Sequence, residues 1–182
     1  MRTIVVVFCL CATACGSHGP DSPAAPTSAT LTPDQTQAQG GAELPFSGTF
    51  TIETRGAVNC PPTCPPTVLT ITGTETGTAT MLGRFAAASV DTVDIATATA
   101  TGTMNFTAAN GDRLMTTTVG GEDEFIPPNI SSVRQVATIV GGTGRFANAT
   151  GTFTVRYRGA IDFANGTSSG AGSFEGHITR HD

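Results

Sequence analysis

The sequence predicts an all-β protein: one closed antiparallel β-barrel of about eight strands, preceded by an export signal and a disordered tether. Three observations predict it. Apolar and polar residues alternate with period two through several long segments, the mark of strands with one buried face. Threonine, a strand former, supplies 33 of the 182 residues, lysine is absent, and no run of ten residues shows a 3.6-residue period. Asn-Gly pairs and other glycine turns separate the segments, as in sheets built from hairpins. Small inward residues and the absence of edges in a closed sheet favour a barrel over a sandwich.

The N-terminus reads as targeting sequence, residues 1–14. One charge at Arg2 precedes the apolar run Thr3 to Leu10. That run is far shorter than the roughly 18 residues a spanning helix needs. Ala12-Thr13-Ala14-Cys15 is similar to the lipobox of bacterial lipoprotein precursors. The similarity implies acylation of Cys15 by palmitate-type chains and a mature N-terminus there. An ordinary signal cleaved after Ala12-Thr13-Ala14 is the alternative. The expected location is therefore the bacterial cell envelope, lipid-anchored to a membrane (the outer membrane in a Gram-negative cell), or secretion under the alternative.

Residues 15–45 are rich in Pro, Ser, Thr, Ala, Gly and Gln and lack apolar periodicity. Such a segment cannot offset the entropy of ordering, so it reads as a tether. The folded domain is expected over 46–182. Of five cysteines, Cys9 and Cys11 leave with the signal and Cys15 carries lipid. Cys60 and Cys64, in a proline-rich loop, are expected to form a disulfide in an oxidising compartment. A redox dithiol or a zinc site is the sharper alternative, but neither a following helix nor further ligands accompany the pair.

Strands follow in order. Thr49 to Thr54 alternates. Val68 to Met81 sends its threonines one way and Leu69, Ile71, Gly73, Glu75, Gly77, Ala79 and Met81 the other. Ala96 to Phe106 repeats the device. Asn110-Gly111 turns the chain into a strand from Arg113 to Val119. Val133 to Val140 is apolar-rich. Phe153, Val155 and Tyr157 share one face of the next strand, and Asn165-Gly166 leads to the last, ending near Thr179.

Gly83-Arg84-Phe85 echoes Gly144-Arg145-Phe146, and both are read as barrel corners whose phenylalanine plugs an end. The stretch Thr138 to Gly151 (TIVGGTGRFANATG) resembles a turn of the allene oxide cyclase and dirigent barrels. Gly141, Gly142, Gly144, Phe146 and Gly151 match the turn pattern. The resemblance covers roughly Phe46 to Arg180 and implies an eight-stranded antiparallel barrel. In that family the interior binds a fatty-acid epoxide or positions phenolic radicals. The matched residues form a structural corner, and no functional residue of the family maps onto this chain.

Catalytic signatures are few. No nucleophile elbow, zincin, P-loop or Rossmann fingerprint occurs. Nine basic against 14 acidic side chains exclude nucleic acid as a main partner. His177 shares its strand face with Ser173, Glu175 and Thr179, a solvated face rather than a triad. Gly121 to Glu124 is an acidic loop lacking the spacing of a calcium loop. No metal or cofactor is expected. The candidate chemical groups are Glu75 and Asp94, inward by parity, and Tyr157, the single tyrosine. A bulge at Gly73 or Gly77 would instead turn Glu75 outward. The expected function is non-catalytic binding of an apolar or amphipathic small molecule, with the membrane reached through the N-terminal lipid. The alternatives are an isomerase or cyclase acting on a lipid-like or phenolic substrate, and a structural barrel with a filled interior.

Overall fold

The computed structural model describes residues 41–58 and 66–180 of the chain. The signal, most of the tether, Cys15, Cys60 and Cys64 lie outside those residues, as does His181. Eight strands make up the rest: β1 (Glu43–Val58), β2 (Val68–Ala79), β3 (Gly83–Asp94), β4 (Thr99–Ala108), β5 (Arg113–Ile126), β6 (Ile130–Gly142), β7 (Thr150–Asp162) and β8 (Thr167–Thr179). Each pairs antiparallel with the next, and β8 pairs with β1 to close a barrel. β1 starts at Glu43, slightly ahead of the boundary read at Phe46.

Alternation decides which face is which. In β2 the threonines at 72, 74, 76 and 78 are exposed, while Gly73 and Glu75 are buried. The register of β2 runs unbroken against both neighbours, so no bulge reverses its parity. β5 and β6 do carry irregularities, between Met115 and Thr116 and between Glu122 and Glu124. The acidic residues 121–124 therefore lie on β5 rather than in a loop, and the turn that follows holds Pro127 and Pro128.

The two Gly-Arg-Phe sequences differ in structure. Gly83 opens strand β3, a strand that the alternation analysis passes over. Gly144–Phe146 instead forms one turn of 3-10 helix between β6 and β7. Gly144 has φ +56, a region that side chains rarely adopt, and a Cβ there would strike the Asp112 carboxylate. Arg145 bonds that carboxylate, Nε to Oδ2 at 3.4 Å, and stacks over Phe146. Its partners are thus a carboxylate and an aromatic face. Both phenylalanines are buried as expected.

One half of the lumen is filled. Phe46, Phe50, Phe85, Phe106, Phe153 and Phe174 pack ring to ring, with centroids 4.9 to 6.5 Å apart. Phe174 touches the other five rings. Leu114, Phe146 and Ile178 seal this end. An eight-stranded barrel is just wide enough to be filled by side chains or to hold one small ligand. Here one half is filled by side chains and the other is open.

Candidate functional site: a cavity over a layer of buried polar groups

Beyond the phenylalanine cluster the lumen residues change character. Glu75 on β2, Ser89 and Asp91 on β3, Thr116 and Thr118 on β5, and Gln135 on β6 are all buried. Glu75 is 2% exposed and Asp91 8%. Inward parity places them: Ser89 pairs with Gly73 and Asp91 with Ile71, while Glu75 pairs with Ala87 one step deeper.

Hydrogen bonds hold most of this layer. The Ser89 hydroxyl donates to Glu75 Oε1 at 2.6 Å. Thr118 Oγ1 and Gln135 Nε2 donate to Asp91 Oδ1 at 3.0 and 3.1 Å. Thr116 Oγ1 donates to the Met104 carbonyl at 2.7 Å. Glu75 Oε2 is buried and has no hydrogen-bond partner. Two glycines make the room: a Cβ on Gly73 would meet Ser89 and Glu75, and one on Gly102 would meet the Asp91 carboxylate.

Burial penalises a carboxylate that has no cation beside it. Glu75 is accordingly raised above its ordinary value by desolvation and by the Asp91 charge, although Ser89 opposes the shift. Asp91 is raised by desolvation, opposed by its bonds from Thr118 and Gln135. Tyr157, on β7, is also pushed upward, first by burial and then by Asp91, Glu75 and Glu122. Its phenol stays neutral at physiological pH.

Above this layer the barrel is open. A cavity of about 460 Å³ extends to the end where β2 begins. Leu69, Ile71, Val93, Ala100, Val133 and Ile161 line its apolar side, with Asp91, Gln135 and Tyr157 at its polar side. Ligand pockets usually span about 300–1,000 Å³, with apolar walls and a few polar groups. Phe125 and Phe163, both exposed, meet edge to face at 6.4 Å near this end.

Of the residues singled out from the sequence, Glu75 and Tyr157 point into the lumen and Asp94 does not. Asp94 ends β3, and its carboxylate accepts the Ala96 and Thr97 backbone N–H groups and the Thr97 hydroxyl. Those bonds, the Thr97 backbone bond foremost, hold it below its ordinary value. Parity with Ala96, Ala98 and Ala100 does not reach Asp94, because residues 95–98 form a turn in which alternation has no meaning. Asp91 is the carboxyl it should have named. It shares a face with Phe85, Ala87, Ser89 and Val93, but Ala86-Ala87-Ala88 carries no alternation to announce the strand. His177 lies on the exposed face, 3.7 Å from Glu43. Among the described residues no group of three His, Cys, Asp or Glu side chains is placed to hold a metal ion.

No family model matches the chain, and no curated protein sequence does. Among solved structures it is similar to one described as the pterocarpan synthase dirigent protein GePTS1. The two are 16% identical, with a TM-score of 0.47, over 87% of this chain and 100% of that one.

Proposed function

We propose that the open half of the barrel binds an apolar or amphipathic small molecule without transforming it, in a protein that Cys15 anchors to the bacterial envelope through lipid. The cavity carries this reading: its wall is aliphatic, its inner side polar, and its volume suits one small ligand. The chain enters the barrel at Glu43, at the plugged end, so the mouth lies at the opposite end. The filled phenylalanine half supports a structural role for that half alone.

Titration with the neutral dye Nile red tests the reading. Saturable binding is expected, and Ala100→Phe, which fills the cavity, is expected to abolish it. Binding that is unchanged in Ala100→Phe overturns the cavity as the site. Lipidation is tested separately: Cys15→Ser is expected to abolish acyl labelling and membrane association.

An isomerase or cyclase acting on a lipid-like or phenolic substrate is a second reading, favoured by one observation. Glu75 is a buried carboxyl raised above its ordinary value, with one oxygen free of partners, as a general acid would be. For a substrate that the barrel turns over, Glu75→Gln would abolish turnover and spare binding.

A further inference from the structure

We infer that the ligand of this cavity is an apolar molecule with a cationic, ammonium-type head, and that anionic amphiphiles such as fatty acids are excluded. The inference rests on the binding reading above and names the ligand class for that same cavity. It follows from a one-sided inventory of charge. The chain has no lysine, and neither arginine nor histidine lines the cavity. Asp91 faces the ligand space, Glu122 stands at the rim, and Glu75 lies two inward steps below Asp91, past Gly73 and Ser89.

A second observation is independent of the count. Glu75 is 2% exposed, and its Oε2 has no hydrogen-bond partner. Its other oxygen leans over Gly73, toward the open half, where a Cβ would lie 2.7 Å from it. A buried polar atom left unsatisfied has a desolvation cost that a ligand donor would relieve. An ammonium head in the cavity supplies the positive charge that buried Asp91 lacks, and a donor on the side of the layer to which Glu75 Oε1 leans. A carboxylate head would bring a further acidic group into an apolar space that holds no cationic side chain to meet it.

The titratable groups that line this space are Asp91 from β3, Glu122 from β5 and Tyr157 from β7, with Glu75 from β2 buried beneath it. The lumen residues of β1, β4, β6 and β8 are apolar, glycine or hydroxyl residues, apart from the amide Gln135 on β6. Burial raises Glu75 and Asp91, and a bound cation favours their ionised forms.

The test uses the purified full chain and three probes with one tail: octylamine, 1-octanol and octanoate, each below its micellar concentration. Calorimetry reads the affinities. At neutral pH, octylamine is expected to bind about tenfold tighter than 1-octanol or better, and octanoate is expected to be undetectable. Asp91→Asn, which keeps an acceptor for Thr118 and Gln135, is expected to reduce the preference for octylamine over 1-octanol to within about threefold. Glu75→Gln is the parallel variant. Octanoate binding as tightly as octylamine overturns the inference but leaves the cavity as a site. An amine preference that survives both substitutions also overturns it. If none of the three tails binds, the binding reading itself fails.

Discussion

Gly73 and Gly102 face the lumen beside Glu75 and Asp91, and each gives a carboxyl group the space it occupies. From sequence these glycines suit tight barrel curvature; in the structure their missing side chains have a more specific consequence. Gly73→Ala forces Ser89 and Glu75 apart, and Gly102→Ala drives a methyl against the Val90 carbonyl and Asp91. Each is expected to lose about 1–3 kcal/mol in urea unfolding, the usual cost of overpacking a filled site. The carboxyls themselves set a pH dependence. Both are raised from ordinary values of 4.5 and 3.8, so the native state holds protons that the unfolded chain has released. Their contribution is complete below those values and is lost as pH rises through the folded pKa values. Asp94 and Asp162 act in the opposite sense, being lowered, so their contribution is lost only as pH falls below about 3.8. Stability is therefore expected to peak in mild acid and decline toward neutrality. Glu75→Gln should flatten that decline in urea midpoints measured across pH.

Among the elements, β2 was legible and β3 was not, and the difference is chemical. β2 alternates threonine with aliphatic and small residues, so period two stands out and places Glu75 inward. β3 opens with Gly83, runs through three alanines, and exposes Val90, so its inner and outer faces look alike until the fold separates them. Asp91 and Ser89 were missed for that reason, and Gln135 on β6 because polar residues are not expected to mark a buried face. The hairpins were legible because turn chemistry is local. Asn110-Gly111 joins β4 to β5, and Asn165-Gly166 joins β7 to β8. In the second, Asp162 accepts the Ala164 and Asn165 backbone N–H groups, and Gly166 sits at φ +64. Gly166→Ala places a Cβ in that strained region and is expected to destabilise by about 1 kcal/mol. Thermal or urea unfolding reads this directly. Binding of a neutral dye should be nearly unaffected, although the turn borders the mouth.

At the scale of the whole molecule, the closed barrel separates a packed half from an open one along its axis. The six phenylalanine rings occupy one half, with Phe174 in contact with the other five. Truncating it leaves a void that its neighbours cannot fill without losing their own packing. Phe174→Ala is expected to lose about 3–5 kcal/mol, in the range for large core truncations. The cavity wall is different: Ala100 borders empty space on its lumen side, so a larger side chain there meets little resistance. Ala100→Phe is expected to change stability by less than about 1 kcal/mol while abolishing dye binding. The polar layer lies between the two halves, and substitutions so separated should add within about 0.5 kcal/mol. The double variant Phe174→Ala/Ala100→Phe thus distinguishes two designs. If the halves are independent, its unfolding free energy is the sum of the single effects, and Phe174→Ala alone keeps its dye affinity within about threefold of the parent. If one packed unit extends through the barrel, the single substitution in the phenylalanine half already weakens binding and the sum fails. The first outcome is expected, because the phenylalanine cluster contributes no side chain to the cavity wall.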